Sequence, residues 1–228
     1  MLAAGVGPRV GGDEPKQFLE LNGVPVLERT LRTLDWCDRI VLVHHPGQAD
    51  RTRSLVEHAG LASRVRLVAG GPTRRSSIAA ALAALAEEGD DVPLVLQNAA
   101  SPNTPPDLLH ACLAGLSTHD VVQAYVPAVH TIFSHDGREL TEVLQRGGLG
   151  YSADPTVYRL GCLRRIVAAQ SADIAAGEMT LDTARALGIP VLLVPSPSSN
   201  IKLTTAADLI LLRALLAPEP ATASHRDA

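Results

Sequence analysis

Apolar and polar positions alternate along this chain in two periods that trade places. Short apolar runs of strand length, Arg39–His44, Val65–Ala69, Val92–Leu96, Asp120–Val126 and Val191–Val194, are separated by stretches with helical spacing. Helices are predicted over Val26–Trp36, Gln48–Ala59, Thr73–Ala86, Pro105–Leu116, Val157–Ala169, Met179–Leu187 and Thr204–Leu216. Within Thr73–Ala86, Ile78, Leu82 and Leu85 share one face. Within Pro105–Leu116, Leu109, Cys112, Leu113 and Leu116 do the same. Gly60 stands where a left-handed residue would end the second helix, and Thr204 or Thr205 is placed to cap the last one. Strands without internal alternation are buried on both faces. The pattern therefore predicts an α/β fold with a mostly parallel central sheet flanked by helices.

One segment departs from that rhythm. After Pro127, Thr131–Ser134 and Glu139–Leu144 flank Asp136-Gly137, a strong hairpin turn signal. Residues 127–150 thus form a β-hairpin that leaves the parallel core. The other chain features predict a single domain over residues 1–217 and a disordered Pro/Ala-rich tail over 218–228.

Composition narrows the class. At 228 residues and 46% hydrophobic, the chain can bury a substantial core, and with 3% aromatics that core is aliphatic. A net charge of −4 does not suit a general nucleic-acid binder, so any phosphate-binding charge must be local. Cys37, Cys112 and Cys162 are odd in number and widely spaced, which fits neither a zinc site nor a disulfide framework; Cys112 reads as a buried reduced thiol. No apolar run reaches the ~18 residues of a membrane span, and no signal peptide is seen; the expectation is a cytoplasmic protein that meets no membrane.

The candidate chemistry begins at the first residues. Ala3-Ala4-Gly5-Val6-Gly7-Pro8-Arg9 is a small-residue loop, followed by Pro15-Lys16-Gln17-Phe18-Leu19. Ala and Gly let backbone N–H groups approach phosphate oxygens, and Arg9 and Lys16 supply the charge that a leaving pyrophosphate needs. The Gly-Lys-Ser/Thr ending of a Walker loop is absent, as is the third glycine of a dinucleotide fingerprint. Only Met1-Leu2 precede the loop, where a buried strand of about five residues is usual. The first strand is either very short or lacks residues on its N-terminal side.

These motifs resemble those of nucleotidyltransferases that activate small sugar and polyol phosphates. The best match is the 2-C-methyl-D-erythritol 4-phosphate cytidylyltransferase family of the non-mevalonate isoprenoid pathway. The resemblance runs through Gly70-Gly71 with Arg74 and Ser77, Asn98-Ala99-Ala100, Thr131, Arg146-Gly147-Gly148-Leu149, Asp154-Pro155 and Asn200-Ile201-Lys202-Leu203-Thr204. It implies a Rossmann-like nucleotidyltransferase fold, CTP as co-substrate, Mg²⁺, a small polyol phosphate as acceptor, and a homodimer clasped by the hairpin arm. Arg9, Lys16 and Lys202 would then be catalytic. Ala3, Ala4, Gly5, Gly7, Gly71, Arg74, Ser77 and Ala99 would bind the nucleotide, with Gly71 and Ser77 reading the cytosine edge. Thr131, Arg146 and Asp154 would bind the acceptor, and Asn98 would face the metal. Several positions depart from the family pattern. Pro72 replaces an acid, Asn98 an Asp, Ser101 an Arg, and Asp154 a hydroxyl residue. Two further readings stay open on these departures: a paralogue acting on another polyol phosphate or phosphonate, and a nucleotide-binding homologue with impaired catalysis.

Overall fold

A computed structural model describes residues 1–5, 14–169 and 179–217. Arg9, Gly7 and the 218–228 tail lie outside the described residues. In chain order the elements begin with β1 Leu2–Ala3, β2 Glu20–Leu21, β3 Val24–Pro25, α1 Val26–Arg32, β4 Ile40–His44, α2 Ala49–His58 and β5 Val65–Ala69. They continue through α3 Arg74–Ala84, β6 Pro93–Leu96, α4 Pro106–Gly115 and β7 Val121–Pro127. The hairpin β8 Ile132–His135 and β9 Leu140–Leu144 follows, then β10 Gly150–Arg159, α5 Leu160–Ala169, α6 Met179–Ala186, β11 Val191–Pro195 and α7 Ala206–Leu215.

Two sheets lie edge to edge. One has the order β1-β4-β5, the other β11-β7-β10-β6. The parallel bridge between Leu2 and Asn98 joins them, with Leu2 N–H donating to Gln97 O at 2.8 Å and Ala99 N–H donating to Leu2 O at 2.9 Å. The run is then β5-β4-β1-β6-β10-β7-β11, and every strand but β10 points the same way. The mostly parallel sheet is as the pattern predicts. The first strand is short, with Leu2 and Ala3 paired to Val43 and His44.

Layering follows from the period of two along each strand. Val121 and Tyr158 pack with α3, α5 and α6 on one face, while their neighbours Val122 and Val157 pack with α4 on the other. Around β4, α1 and α2 contribute Leu27, Leu31, Leu55 and Val56 to a further cluster. Helix ends use the chemistry the sequence supplies. Thr73 accepts from Ser76 N–H while Ser76 returns a bond to the cap, and Thr205, not Thr204, caps α7 with Asp208 as its reciprocal partner. Gly60 has φ +72° and ends α2, with Leu61 N–H reaching back to Val56 O at 3.1 Å.

One expectation is corrected. Val157–Arg159 are not the start of a helix; they are the end of β10, which inserts antiparallel between β6 and β7, and the helix begins at Leu160. Asp154-Pro155 hides this strand in the sequence. Proline cannot donate to a ladder and is tolerated in a sheet where pairing is interrupted. The β10–β7 register shifts between Ser152 and Thr156, at just that place.

The hairpin forms as expected, pairing Ile132 with Leu144 and Phe133 with Val143. Asp136 closes the turn, its carboxylate accepting from Arg138 N–H and Glu139 N–H, and these bonds lower its pKa. Cys112 and Cys162 are buried and Cys37 is half-buried. Burial pushes the Cys37 and Cys112 thiols up to about 11 and raises Cys162 as well, so all three stay protonated and unreactive near neutral pH. No helix among the described residues is long and apolar enough to cross a membrane.

Candidate active site

The C-terminal ends of the parallel strands gather the candidate residues at one edge of the sheet. Ala4-Gly5 leave β1, Gly70-Gly71 leave β5, Gln97–Ser101 leave β6 and Ser196–Lys202 leave β11. Because β10 runs the other way, with Thr156 opposite Leu96, its Asp154 reaches the same edge from the opposite direction. In open α/β sheets this is where ligands bind.

The first and last motifs meet here although they lie at opposite ends of the chain. Lys16 Nζ donates to Leu203 O at 3.0 Å across 187 residues of sequence. Leu203 N–H donates to Ala100 O at 2.7 Å, and Gln17 Nε2 donates to Ala3 O at 3.2 Å. Lys16 is thereby fixed between the small-residue loop and the loop that carries Lys202. Lys202 itself is exposed and lines a cleft of about 240 Å³ together with Asn98, Val126, Tyr151, Ser152, Ala153, Asp154 and Asn200.

A hydrogen-bonded chain crosses the floor of this cleft. Arg74 Nη1 donates to Asn98 Oδ1 at 3.0 Å, and Asn98 Nδ2 donates to Asp154 Oδ1 at 2.6 Å. The Ser101 hydroxyl donates to Asp154 Oδ2. Asn200 Nδ2 donates to Asp154 O at 2.6 Å and to Ser196 Oγ at 3.0 Å, while Asn200 Oδ1 accepts from Thr104 Oγ1 at 3.2 Å. Sequence reasoning quoted Asn200 in its motif but gave it no task. Its amide holds the Asp154 backbone in place, and no local pattern announces a contact 46 residues away.

On the nucleotide side, the buried Ser77 hydroxyl donates to Gly71 O at 3.4 Å, so the two residues expected to read the base stand together. Ala99 is fully engaged in the fold. Its N–H is bonded to Leu2, its carbonyl accepts from Thr30 Oγ1 at 2.9 Å, and its side chain is buried. Gly70 lets the first loop approach β5 closely. A Cβ there would stand 2.5 Å from Ala4 Cβ, 3.0 Å from Ser77 Oγ and 3.1 Å from Val43 Cγ1. Gly70→Ala therefore forces the first loop away from β5. Its expected outcome is a stability loss of about 1–3 kcal/mol, seen by thermal denaturation, and a weaker CTP isotherm in calorimetry.

Thr131 and Arg146 are not brought to the cleft. Both are exposed on the arm, and Arg146 Nη1 donates to Val129 O at 2.7 Å. Toward a divalent cation the cleft offers one carboxylate and amide oxygens; among the described residues no three His, Cys, Asp or Glu side chains cluster. That donor set fits Mg²⁺ held largely by phosphate oxygens, and does not fit a site built of protein ligands alone.

A strand-end cleft that holds Lys202 and one carboxylate, with Lys16 bonded to the neighbouring loop, is an arrangement suited to a phosphate-bearing ligand on an α/β sheet. The family model for "IspD: 2-C-methyl-D-erythritol 4-phosphate cytidylyltransferase" matches residues 1–218. Proteins bearing that enzyme name are 36% identical over 222 residues in Frankia casuarinae, covering 94% of this chain and 79% of the relative. In Cereibacter sphaeroides the identity is 34% over 221 residues, covering 95% of each. A solved structure from Anaerococcus prevotii, a 4-diphosphocytidyl-2C-methyl-D-erythritol synthase, superposes with a TM-score of 0.80 at 21% identity, covering 94% of this chain and 95% of that one; it shows the fold. The chain belongs to the 2-C-methyl-D-erythritol 4-phosphate cytidylyltransferase family.

Proposed function

We propose that this chain transfers the cytidylyl group of CTP to the phosphate of 2-C-methyl-D-erythritol 4-phosphate, releasing pyrophosphate and furnishing an isoprenoid precursor. Membership of the family supports the reaction. The observation that carries the placement is the junction of Lys16 with the Lys202 loop beside the cleft.

An oxygen of the acceptor phosphate attacks the α-phosphorus of CTP. The new P–O bond forms as the bond from the α-phosphorus to the bridging oxygen breaks in line, and pyrophosphate carries off the electron pair. No protein nucleophile is required, so the chain positions and neutralises. Lys16 faces the triphosphate from beside the first loop and Lys202 from across the sheet edge; the family resemblance assigns Arg9, outside the described residues, to the same charge. Backbone groups of Ala3, Ala4 and Gly5 cradle the phosphates, and the family resemblance adds Gly7, outside the described residues. Gly71 and Ser77 read the base, and Arg74 orients Asn98. Mg²⁺ would supply charge neutralisation on the phosphate oxygens, and Asn98 is the residue that the family resemblance would set toward it.

The acceptor site is completed by a second copy. Phe133, Leu140 and Val143 on the arm are each more than half exposed, at 51%, 59% and 56%, and an isolated hairpin is marginal in water. In a two-fold dimer with exchanged arms these residues are covered, and Thr131 and Arg146 reach the partner's cleft.

Pyrophosphate release from CTP across a panel of polyol phosphates tests the reading. Turnover is expected with 2-C-methyl-D-erythritol 4-phosphate. Turnover with another acceptor alone reassigns the substrate, and CTP binding without any turnover reassigns the chain to nucleotide binding.

A further inference from the structure

The carboxylate of Asp154 is oddly placed for an acceptor contact. It lines the cleft beside Lys202, yet no Lys, Arg or His among the described residues stands within ion-pair distance of it. Its two oxygens receive only neutral donors, the Asn98 amide and the Ser101 hydroxyl. A carboxylate has about four lone-pair sites, so acceptor capacity remains on both oxygens. A half-buried negative charge in a cleft meant for a triphosphate repels its ligand unless a cation comes with it. The side chain is also held: the Asp154 carbonyl accepts from Asn200, and the residue lies at the break in the β10–β7 register.

Asn98 cannot take that part as it stands. Its oxygen accepts from the Arg74 guanidinium, and its NH₂ is turned to Asp154. One lone pair of that oxygen is left, but a cation bound there would sit beside the Arg74 guanidinium and be repelled by its charge. Among the residues lining the cleft, Asp154 is the sole carboxylate, and Mg²⁺ prefers one or two carboxylates together with phosphates.

We propose that Asp154 anchors the divalent cation that enters with the nucleotide, and that Asn98 positions the Asp154 carboxylate rather than binding metal itself. The proposal rests on the cytidylyl-transfer reading above. It makes the metal carboxylate of this chain a residue of β10, supplied from the strand opposite Asn98.

Mn²⁺ binding to the protein–CTP complex tests it in the absence of acceptor, so that no turnover intervenes. Free Mn²⁺ is read by electron paramagnetic resonance. Wild type with CTP is expected to hold Mn²⁺ about tenfold or more tightly than CTP alone, and Asp154→Asn to lose that gain. Without metal, Asp154→Asn is expected to bind CTP more tightly than wild type, since a repelling charge is gone. The double variant Asn98→Asp/Asp154→Asn is expected to regain Mn²⁺ affinity, because the two side chains meet at 2.6 Å and a carboxylate at either position serves the same corner. A second reading needs no variant: substoichiometric Mn²⁺ with CTP should broaden the side-chain amide NMR signals of Asn98 and Asn200. Unchanged Mn²⁺ affinity in Asp154→Asn, or unbroadened amides in wild type, would overturn the metal assignment while leaving the transfer reading intact. Failure of the wild type to bind CTP at all would overturn both.

Discussion

Lys202→Ala and Lys16→Ala each lower turnover by about a hundredfold or more, the loss expected when a charge on a developing oxyanion is removed. The two lysines differ in what else they do. Lys202 is exposed at the cleft, so its removal leaves the fold and the thermal midpoint unchanged. The Lys16 ammonium is bonded to Leu203 O at 3.0 Å, so its removal also frees the last motif from the first and lowers the midpoint somewhat. Lys16→Arg keeps the charge with a longer, forked head, and restores stability better than turnover. Steady-state pyrophosphate release paired with thermal denaturation separates these effects. Wild-type rates in both alanine variants would remove the catalytic site from this edge of the sheet.

Replacing Phe133–Leu144 by a short Gly-Ser bridge is expected to convert the proposed arm-exchanged dimer into a monomer that still binds CTP but no longer transfers. The proposed nucleotide site draws on β1, β5, β6 and their loops, none of which the deletion touches. The exposed apolar side chains of the hairpin leave with it, and so does the route by which Arg146 approaches a neighbouring cleft. Sedimentation of the intact chain as a monomer at micromolar concentration would sink the exchanged-arm dimer and, with it, the assignment of Thr131 and Arg146 to a shared acceptor site.

The sequence made legible whatever is encoded within a few residues. Apolar runs such as Ile40–His44 announce buried strands, the Asp136-Gly137 turn announces the hairpin, and Gly60 and the two threonine caps mark helix ends. β10 was illegible because its ladder is interrupted where proline stands, and because Val157-Tyr158-Arg159 runs without a break into the apolar face of α5. The site divides the same way. Its lysines and glycines are visible in local motifs. The Asn98–Asp154–Ser101 cluster is a product of strand order, since it needs β10 beside β6, a pairing across more than fifty positions of sequence. A substitution pattern at one residue, Asp154, could be read there only as an oddity of the acceptor site.

The antiparallel strand also sets the order in which the molecule can be completed during synthesis. β6 emerges early and waits for β10 to cover one of its edges, while β7, made later, waits for the same strand. Until residue 159 has left the ribosome, the facing edges of β6 and β7 carry unpaired backbone groups, the kind of surface that recruits foreign strands. β10 closes both at once, because it pairs with β6 on one side and β7 on the other. The hairpin lies between β7 and β10 in the chain, so a tethered loop brings the closing strand back to the gap. The same excursion that is proposed to meet a second subunit thus delivers the strand that joins β6 to β7. Long-range pairing of this kind slows folding, and the outer edge of β7 stays open until β11 follows.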